Sequence, residues 1–293
     1  MSGIDLHIHS IYSDGSCTPR EIVKLAEKKG LTALALTDHD TMDGVSEFQK
    51  AAGEAGIEGI AGTELSLEYE GIEIHLLGYF KQMPDLKDEG CRELAAVLKF
   101  NRDEKEQRHE RIAELLGRQG IAVDIEKMKE DAGDAVMNRV HFARELVRQE
   151  FVRDVAEAFS VYLGEGKCCY APRSYCSARQ GIRAVIAAGG IPVLAHPWLY
   201  PFTEEAMRTI LAQLKLWGLK GVEAWYAAFT EEQRVWLTRE ADRQGLLVSG
   251  GTDFHGANKK DLELGTGYGS FFVPYKIFEQ LTGGFPKESV KKD

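Results

Sequence analysis

Apolar and polar positions follow two different periods along this chain, and the switch between them divides it. Gly3 to Ser10 has the character of a buried strand, with Ile4, Leu6 and Ile8 spaced by two. That spacing predicts Ile4, Leu6 and Ile8 facing covering helices and Asp5, His7 and His9 facing the other way. Thr18-Pro19-Arg20-Glu21 is a capping box with proline at the first helical position, and Gly30 closes the helix it opens. Leu31 to Thr37 is a second strand. Leu34 and Leu36 are expected outside, and Ala33, Ala35, Thr37 and His39 inside. A helix follows near Val45 to Ala55, then strands near Gly56 to Tyr69 and Ile72 to Tyr79 around a turn at Glu70-Gly71.

The period then changes to that of a helix. Asp85 to Arg118 is long and highly charged, with Leu94, Leu98, Ile112, Leu115 and Leu116 available for one apolar face. Asn138 to Gln149 and Val152 to Leu163 read as further helices, and only Ile121 to Val123 suggests a strand. Alternation resumes with a helix over Ser177 to Ala188 and a strand over Gly190 to His196. A helix after Thr203, a strand over Lys220 to Tyr226, a helix capped at Thr230 and a strand over Leu246 to His255 complete it. Repeated strand–helix units predict an α/β fold with a mainly parallel sheet, open or closed into a barrel. The expected division is residues 1–84, an inserted helical domain over 85–165, and a return over 166–293. The last seven residues are expected to fray.

Charge sharpens the division. The net charge is −10. Residues 85 to 183 are balanced to −1, with 18 Lys and Arg against 19 Asp and Glu, so the remainder carries −9. An acidic body argues against a duplex-DNA footprint and suits a site that concentrates cations. No apolar run approaches the roughly 20 residues of a membrane span, and the N-terminus lacks the features of a signal peptide. A cytoplasmic protein is expected, with no obligate protein partner evident. Cys17, Cys91, Cys168, Cys169 and Cys176 form no zinc-ribbon spacing and read as reduced structural thiols.

The histidines carry the chemistry. Six of eight, His7, His9, His39, His75, His196 and His255, sit at or just beyond predicted strands. Functional sites of parallel α/β sheets gather at strand carboxyl ends, and six unrelated core histidines at one edge would be an odd coincidence. Asp5-x-His7-x-His9, Thr37-Asp38-His39-Asp40, Glu64 after Gly62-Thr63, and Asp253-x-His255 offer ligand-type residues at i and i+2. The six histidines with Asp14, Glu64 and Asp253 make nine candidate ligands, more than one ion needs. Imidazoles and carboxylates without thiolates favour Mn²⁺, Fe²⁺ or Zn²⁺, and two bridged ions form a clamp for displacement at phosphorus.

In order, these motifs resemble the PHP family, named for polymerase and histidinol phosphatase, over residues 3 to 80 and about 166 to 260. Asn138-Arg-Val-His-Phe-Ala-Arg144, Tyr162-Leu-Gly-Glu-Gly-Lys167 and Tyr170-Ala-Pro-Arg173 resemble its subfamily of nucleotide phosphatases and 5′-to-3′ exoribonucleases. Cys168-Cys169 departs from that subfamily's pattern. The resemblance implies a distorted (β/α)7 barrel with the insert. It also implies a first ion on His7, His9, Glu64 and Asp253, a second on Glu64, His75 and His196, and a third on Asp14, His39 and His255. Asp40 and Asp5 would orient imidazoles, so Asp40 and His196 are the candidate catalytic residues. His196, or a water on the third ion, would protonate the leaving group.

The expected reaction is attack of a metal-held hydroxide on a phosphomonoester of a nucleotide, of the 3′,5′-bisphosphate or AMP type, or at the 5′ end of short single-stranded RNA. Arg139, His141, Lys167 and Arg173 are the candidate substrate contacts, with Arg102 and Arg108 behind them. Tyr170 or Phe229 could stack a base. The competing readings are a histidinol-phosphate-type phosphatase, a degenerate PHP module and a plain metal-binding protein.

Overall fold

The computed structural model describes residues 3–132 and 137–286. The seven C-terminal residues expected to fray lie outside them. Contacts divide the chain into two compact units, residues 1–98 with 176–293 and residues 99–175.

In the first unit, strand β1 (Gly3–Ile8) leads to α1 (Pro19–Lys29) and β2 (Leu31–Leu36). The capping box forms as the sequence requires. The Thr18 side chain accepts from Glu21 N–H, the Glu21 carboxylate accepts from Thr18 N–H, and Gly30 closes the helix at φ 69°. Next come α2 (Val45–Glu54), β3 (Glu58–Tyr69) and β4 (Ile72–Phe80), the last two an antiparallel hairpin. The long helix α3 begins at Arg92, after a short 3₁₀ turn over Glu89–Cys91, rather than at 85. Charge-rich composition does not separate a turn at Asp85–Asp88 from a first helical turn.

The second unit is helical. The rest of α3 (Arg92–Arg118) is joined by α4 (Ile125–Ala132), α5 (Arg139–Arg148) and α6 (Val155–Ala158), then a π-helical turn over Phe159–Leu163. Asp154 caps α6 through Glu157 N–H, so helix starts at 155 and not at 152. Residues 121–123 form no strand; Ile121 instead joins Ile112, Leu116, Phe142, Leu146 and Leu163 in this unit's own core. The unit begins and ends later than the expected 85–165. Leu94, Val97 and Leu98 of α3 pack in the sheet's helix layer with Leu76, Val185 and Leu194.

The first unit resumes with β5 (Cys176–Ser177), α7 (Ala178–Ala187), β6 (Ile191–Leu194), α8 (Glu204–Leu216), β7 (Gly221–Tyr226), α9 (Glu231–Gln244), β8 (Leu247–Gly251), β9 (Val273–Pro274) and α10 (Tyr275–Gly283). The sheet runs β8-β7-β6-β4-β3-β2-β1-β9, with β5 on β3. It curls until β8 meets β1: Asp253 N–H donates to His7 O at 2.9 Å, and His9 N–H to Phe254 O at 2.9 Å. Gly251 makes that approach possible, since a Cβ there would sit 2.5 Å from His7 Cβ. Tyr79 on β4 donates to Leu6 O on β1 at 2.8 Å, although two strands separate β4 from β1 in the sheet, so this bond crosses the barrel interior. The result is a nearly closed α/β barrel.

The interior and the helix layers have separate cores. Ile4, Leu6, Ala33, Ala35, Tyr79 and Val193 pack together with Phe278 of α10. Ile8, Leu34 and Leu36 pack with Ile22 of α1 and Phe48 of α2. The alternation expected along β2 therefore holds, whereas that along β1 breaks: Ile4 and Leu6 lie inside, and only Ile8 joins the layer of α1 and α2. The register of β1 on β2 slips between Asp5 and Ile8, which reverses the side of the residues beyond.

All five cysteines are free thiols. No helix of the described residues is long and apolar enough to cross a membrane.

Candidate metal centre

His7 lies on β1 and His9 just beyond its end, both fully buried, and the loop after β2 supplies His39. β3 supplies Glu64, β4 His75, the end of β6 His196, and the segment after β8 Asp253 and His255. These positions are far apart in sequence, yet the side chains converge on one carboxylate. Glu64, 1% exposed, places Oε2 at 3.2 Å from His7 Nε2, from His9 Nε2 and from His39 Nδ1. Its Oε1 lies 3.0 Å from His75 Nδ1 and 2.9 Å from His196 Nε2.

Three sets of donor atoms form, each within 4.8 Å of one another: His7, His9, Glu64 and Asp253; His39, Glu64 and His75; and His9, Asp14, His39 and His255. The first groups the residues that the resemblance implied for one ion, and the third groups Asp14, His39 and His255 with His9 added. The middle set has His39 where the sequence reading placed His196, although His196 reaches the same Glu64 oxygen. Ring nitrogens His9 Nε2, His39 Nδ1 and His196 Nδ1 are buried without a hydrogen-bond partner. Buried polar atoms are rarely left unpaired, and imidazole nitrogens facing shared carboxylates fit cations.

The electrostatics agree. Burial would raise the Asp253 carboxyl, but His7 and then His9 hold it well below the usual carboxylate range. Burial pulls on the His9 imidazole too, yet Asp253 and Glu64 raise it from 6.5 to about 9. For His75, Glu64 and Glu73 outweigh burial and lift it to about 10. The cluster thus stabilises positive charge on His9 and His75, whereas burial, against Glu64 and Asp14, lowers the His39 imidazole from 6.5 to about 3.

Backbone strain marks the same edge. Asp40, His196 and Asp253 adopt left-handed backbone at φ 54°, 28° and 60°, uncommon for residues other than glycine.

The supporting carboxylates differ from those expected. Asp5 accepts from Thr252 N–H at 2.9 Å and Thr252 Oγ1 at 2.5 Å, from Gly265 N–H at 2.9 Å, and from the amide rather than the ring of His7. Burial, against those bonds, pushes its carboxyl to about 6. Asp5 thus fastens β1 to the end of β8. Both oxygens of Asp40 accept from Ser66, through N–H and Oγ at 2.9 Å each. Asp38 accepts from Ser10 and Ser13 and shapes the loop beyond β1.

Three partners escaped the sequence reading. Glu223 Oε1 lies 2.9 Å from His7 Nδ1, while Tyr226 Oη and Lys259 Nζ donate to Asp253 Oδ2 at 2.8 and 2.5 Å. Only Glu223 left a sequence signal, as a lone carboxylate inside the apolar strand Gly221–Tyr226.

In the second unit, the Arg108, Arg139 and Arg173 guanidiniums lie over Tyr170, Phe159 and Tyr175 respectively. Burial, aided by Arg139, lowers the Arg108 pKa. His141 closes a capping box on Asn138, and Lys167 is exposed. Phe229, in the first unit, is buried against Tyr226 as a core aromatic.

A barrel edge that focuses five imidazoles on one glutamate defines the class: an α/β barrel with a candidate multi-residue metal site. Comparison with known proteins gives the family. A PHP domain model matches residues 5–119. The chain is 37% identical to the 5′-3′ exoribonuclease of Haemophilus influenzae over 86% of this chain and 89% of that protein. It is 31% identical to the 3′,5′-nucleoside bisphosphate phosphatase of Chromobacterium violaceum over 90% and 91%. A crystal structure from Bifidobacterium adolescentis, described as a candidate metal-dependent phosphoesterase, superposes with a TM-score of 0.80 at 28% identity, covering 98% of each chain. The chain belongs to the PHP family.

Proposed function

We propose that this protein is a metal-dependent phosphoesterase that removes phosphate from nucleotides, of the 3′,5′-bisphosphate or AMP type, or acts at the 5′ end of short RNA. The observation that carries the reading is Glu64, whose two oxygens are shared among five imidazoles. One bridging carboxylate with neutral nitrogen donors on both sides is the donor set that two or more divalent ions require.

His7, His9, Glu64 and Asp253 would hold one ion, Glu64 and His75 with His196 or His39 a second, and Asp14, His39 and His255 a third. Mn²⁺ suits this mixture best, with Fe²⁺ and Zn²⁺ as alternatives. Bound divalent ions supply Lewis acidity at a phosphoryl oxygen and make water acidic enough to attack near neutral pH. The chain's own part is placement. Glu64 fixes the spacing of the donors, and the strained backbone of His196 and Asp253 aims their side chains at it. His196, beside Glu64, is the proposed proton source for the leaving oxygen, and Asp40 holds β3 through Ser66. Arg139, His141, Lys167 and Arg173 remain the proposed substrate contacts, with Arg108 in the same cationic cluster.

The activities named for the two relatives support the nucleotide reading. A panel of 3′,5′-bisphosphoadenosine, AMP, a 5′-phosphorylated oligoribonucleotide and histidinol phosphate tests it, using chelator-treated protein with and without added Mn²⁺. Phosphate or nucleotide release from a nucleotide substrate, dependent on the ion, is expected. Release from histidinol phosphate alone would transfer the protein to the small-metabolite reading, and no release from any would end the enzymatic one.

A further inference from the structure

Glu223 lies on β7, 0% exposed, among Val222, Ala224 and Tyr226. Burying a carboxylate in such a strand is costly unless both oxygens find donors. Both do, and both donors belong to proposed metal ligands. Oε1 lies 2.9 Å from Nδ1 of His7, and Oε2 accepts the backbone N–H of His196 at 2.8 Å. His7 would serve the first ion and His196 the second. Their rings lie 5.7 Å apart and nearly parallel, at 18°.

The two contacts act differently. A carboxylate against Nδ1 fixes the His7 tautomer with hydrogen on Nδ1, which leaves the Nε2 lone pair turned toward Glu64. The contact to His196 holds a backbone, since His196 has φ 28° and ψ 54° and a hydrogen bond on its amide opposes relaxation of that turn. We infer that Glu223 is a positioning residue joining the two ion sites, setting the His7 ring and the His196 backbone with one carboxylate. The inference rests on the metal-centre reading above and goes beyond it by naming a residue that touches no ion.

The chemistry supplies a sharp substitution. Both contacts require an acceptor, and Glu223→Gln keeps the shape but offers only one, turning an N–H against the other donor. The test measures Mn²⁺ affinity by titration calorimetry on chelator-treated wild type and E223Q, with the Tm of each metal-free protein recorded. The expected result is a roughly 10–100-fold weaker affinity in E223Q at a similar metal-free Tm. A merely structural role would lower the metal-free Tm and leave the affinity of the folded protein unchanged. Equal affinity in both proteins overturns the role of Glu223 and leaves the metal centre standing. No Mn²⁺ uptake by wild type would instead remove the metal centre and this inference with it. Should E223Q fail to fold, nitrogen-15 spectra of Zn²⁺-loaded wild type decide: hydrogen on Nδ1 of His7 supports the role, and hydrogen on Nε2 overturns it.

Discussion

The Tyr226 hydroxyl donates to Oδ2 of Asp253 at 2.8 Å, which leaves Oδ1 turned toward His9 at 3.2 Å and His7 at 3.6 Å. One oxygen is committed to the scaffold so that the other is aimed at the imidazoles. Tyr226→Phe removes the restraint and keeps the ring. Activity at limiting Mn²⁺ should fall roughly tenfold or more and recover in part at excess metal. Lys259 still holds Oδ2, so the loss should stay short of that in Asp253→Ala. Wild-type metal dependence in Y226F would show that the hydroxyl does not position Asp253.

His9→Ala and Asp253→Ala each remove a donor from the proposed first set. Turnover should drop to background and the metal bound per chain should decrease, while the circular dichroism spectrum stays that of the wild type. Both side chains belong to a cluster of acidic and imidazole groups whose principal contacts are one another, so the apolar layers are left in place. Turnover at the wild-type rate in metal-controlled buffer would refute the assignment.

Arg139 stands at the first position of α5, its guanidinium 5.8 Å from the Phe159 ring centroid. Arg139→Ala should raise KM for nucleotide substrates roughly tenfold with kcat little changed, the pattern of a grip equal in ground and transition states. An unchanged KM removes Arg139 from the substrate contacts.

His109 offers a pH test away from the centre. It is buried in the helical unit against Phe142, and burial, reinforced by Lys105 and Arg108, lowers its imidazole from 6.5 to about 3. The unfolded ring takes up a proton below about 6.5, whereas the folded ring stays neutral down to about 3. Its stability contribution is therefore intact above pH 6.5 and lost as pH falls toward 3, at about 1.4 kcal/mol per pH unit. Denaturant unfolding of the metal-free protein between pH 6.5 and 4.5 should show a shallower acid loss in His109→Gln than in wild type. Parallel curves would contradict a buried neutral ring.

That the histidines would gather was legible in the sequence because six of them sit at or just beyond strands, with His7/His9 and Asp253/His255 spaced by two. The α/β class followed from the strand–helix alternation, the barrel from the family resemblance, and helix starts from the caps at Thr18 and Thr230. The roles of Glu223, Tyr226 and Lys259 were not legible, since each acts only through contacts to residues on other elements. His7 and Glu223 are 216 positions apart. Asp5 was misread because its acceptors meet Thr252 and Gly265, partners that exist only once β8 has come round to β1. The reversed side of Ile4 and Leu6 was hidden for a similar reason. A register slip belongs to a pair of strands, and the alternation of one strand does not reveal it.

Glu64 divides its oxygens unequally, three imidazoles on one and two on the other, and this has a thermodynamic consequence. Loading either of the two proposed sites that share Glu64 would re-aim a carboxylate that the other also uses, so metal uptake there would be a linked equilibrium and not a sum of independent events. Whatever factor the first occupant imposes on the second's affinity, the second must impose on the first. A stepwise titration of the stripped protein should then be analysed as coupled occupancies, and a variant at Glu64 should weaken both of the steps that use it at once.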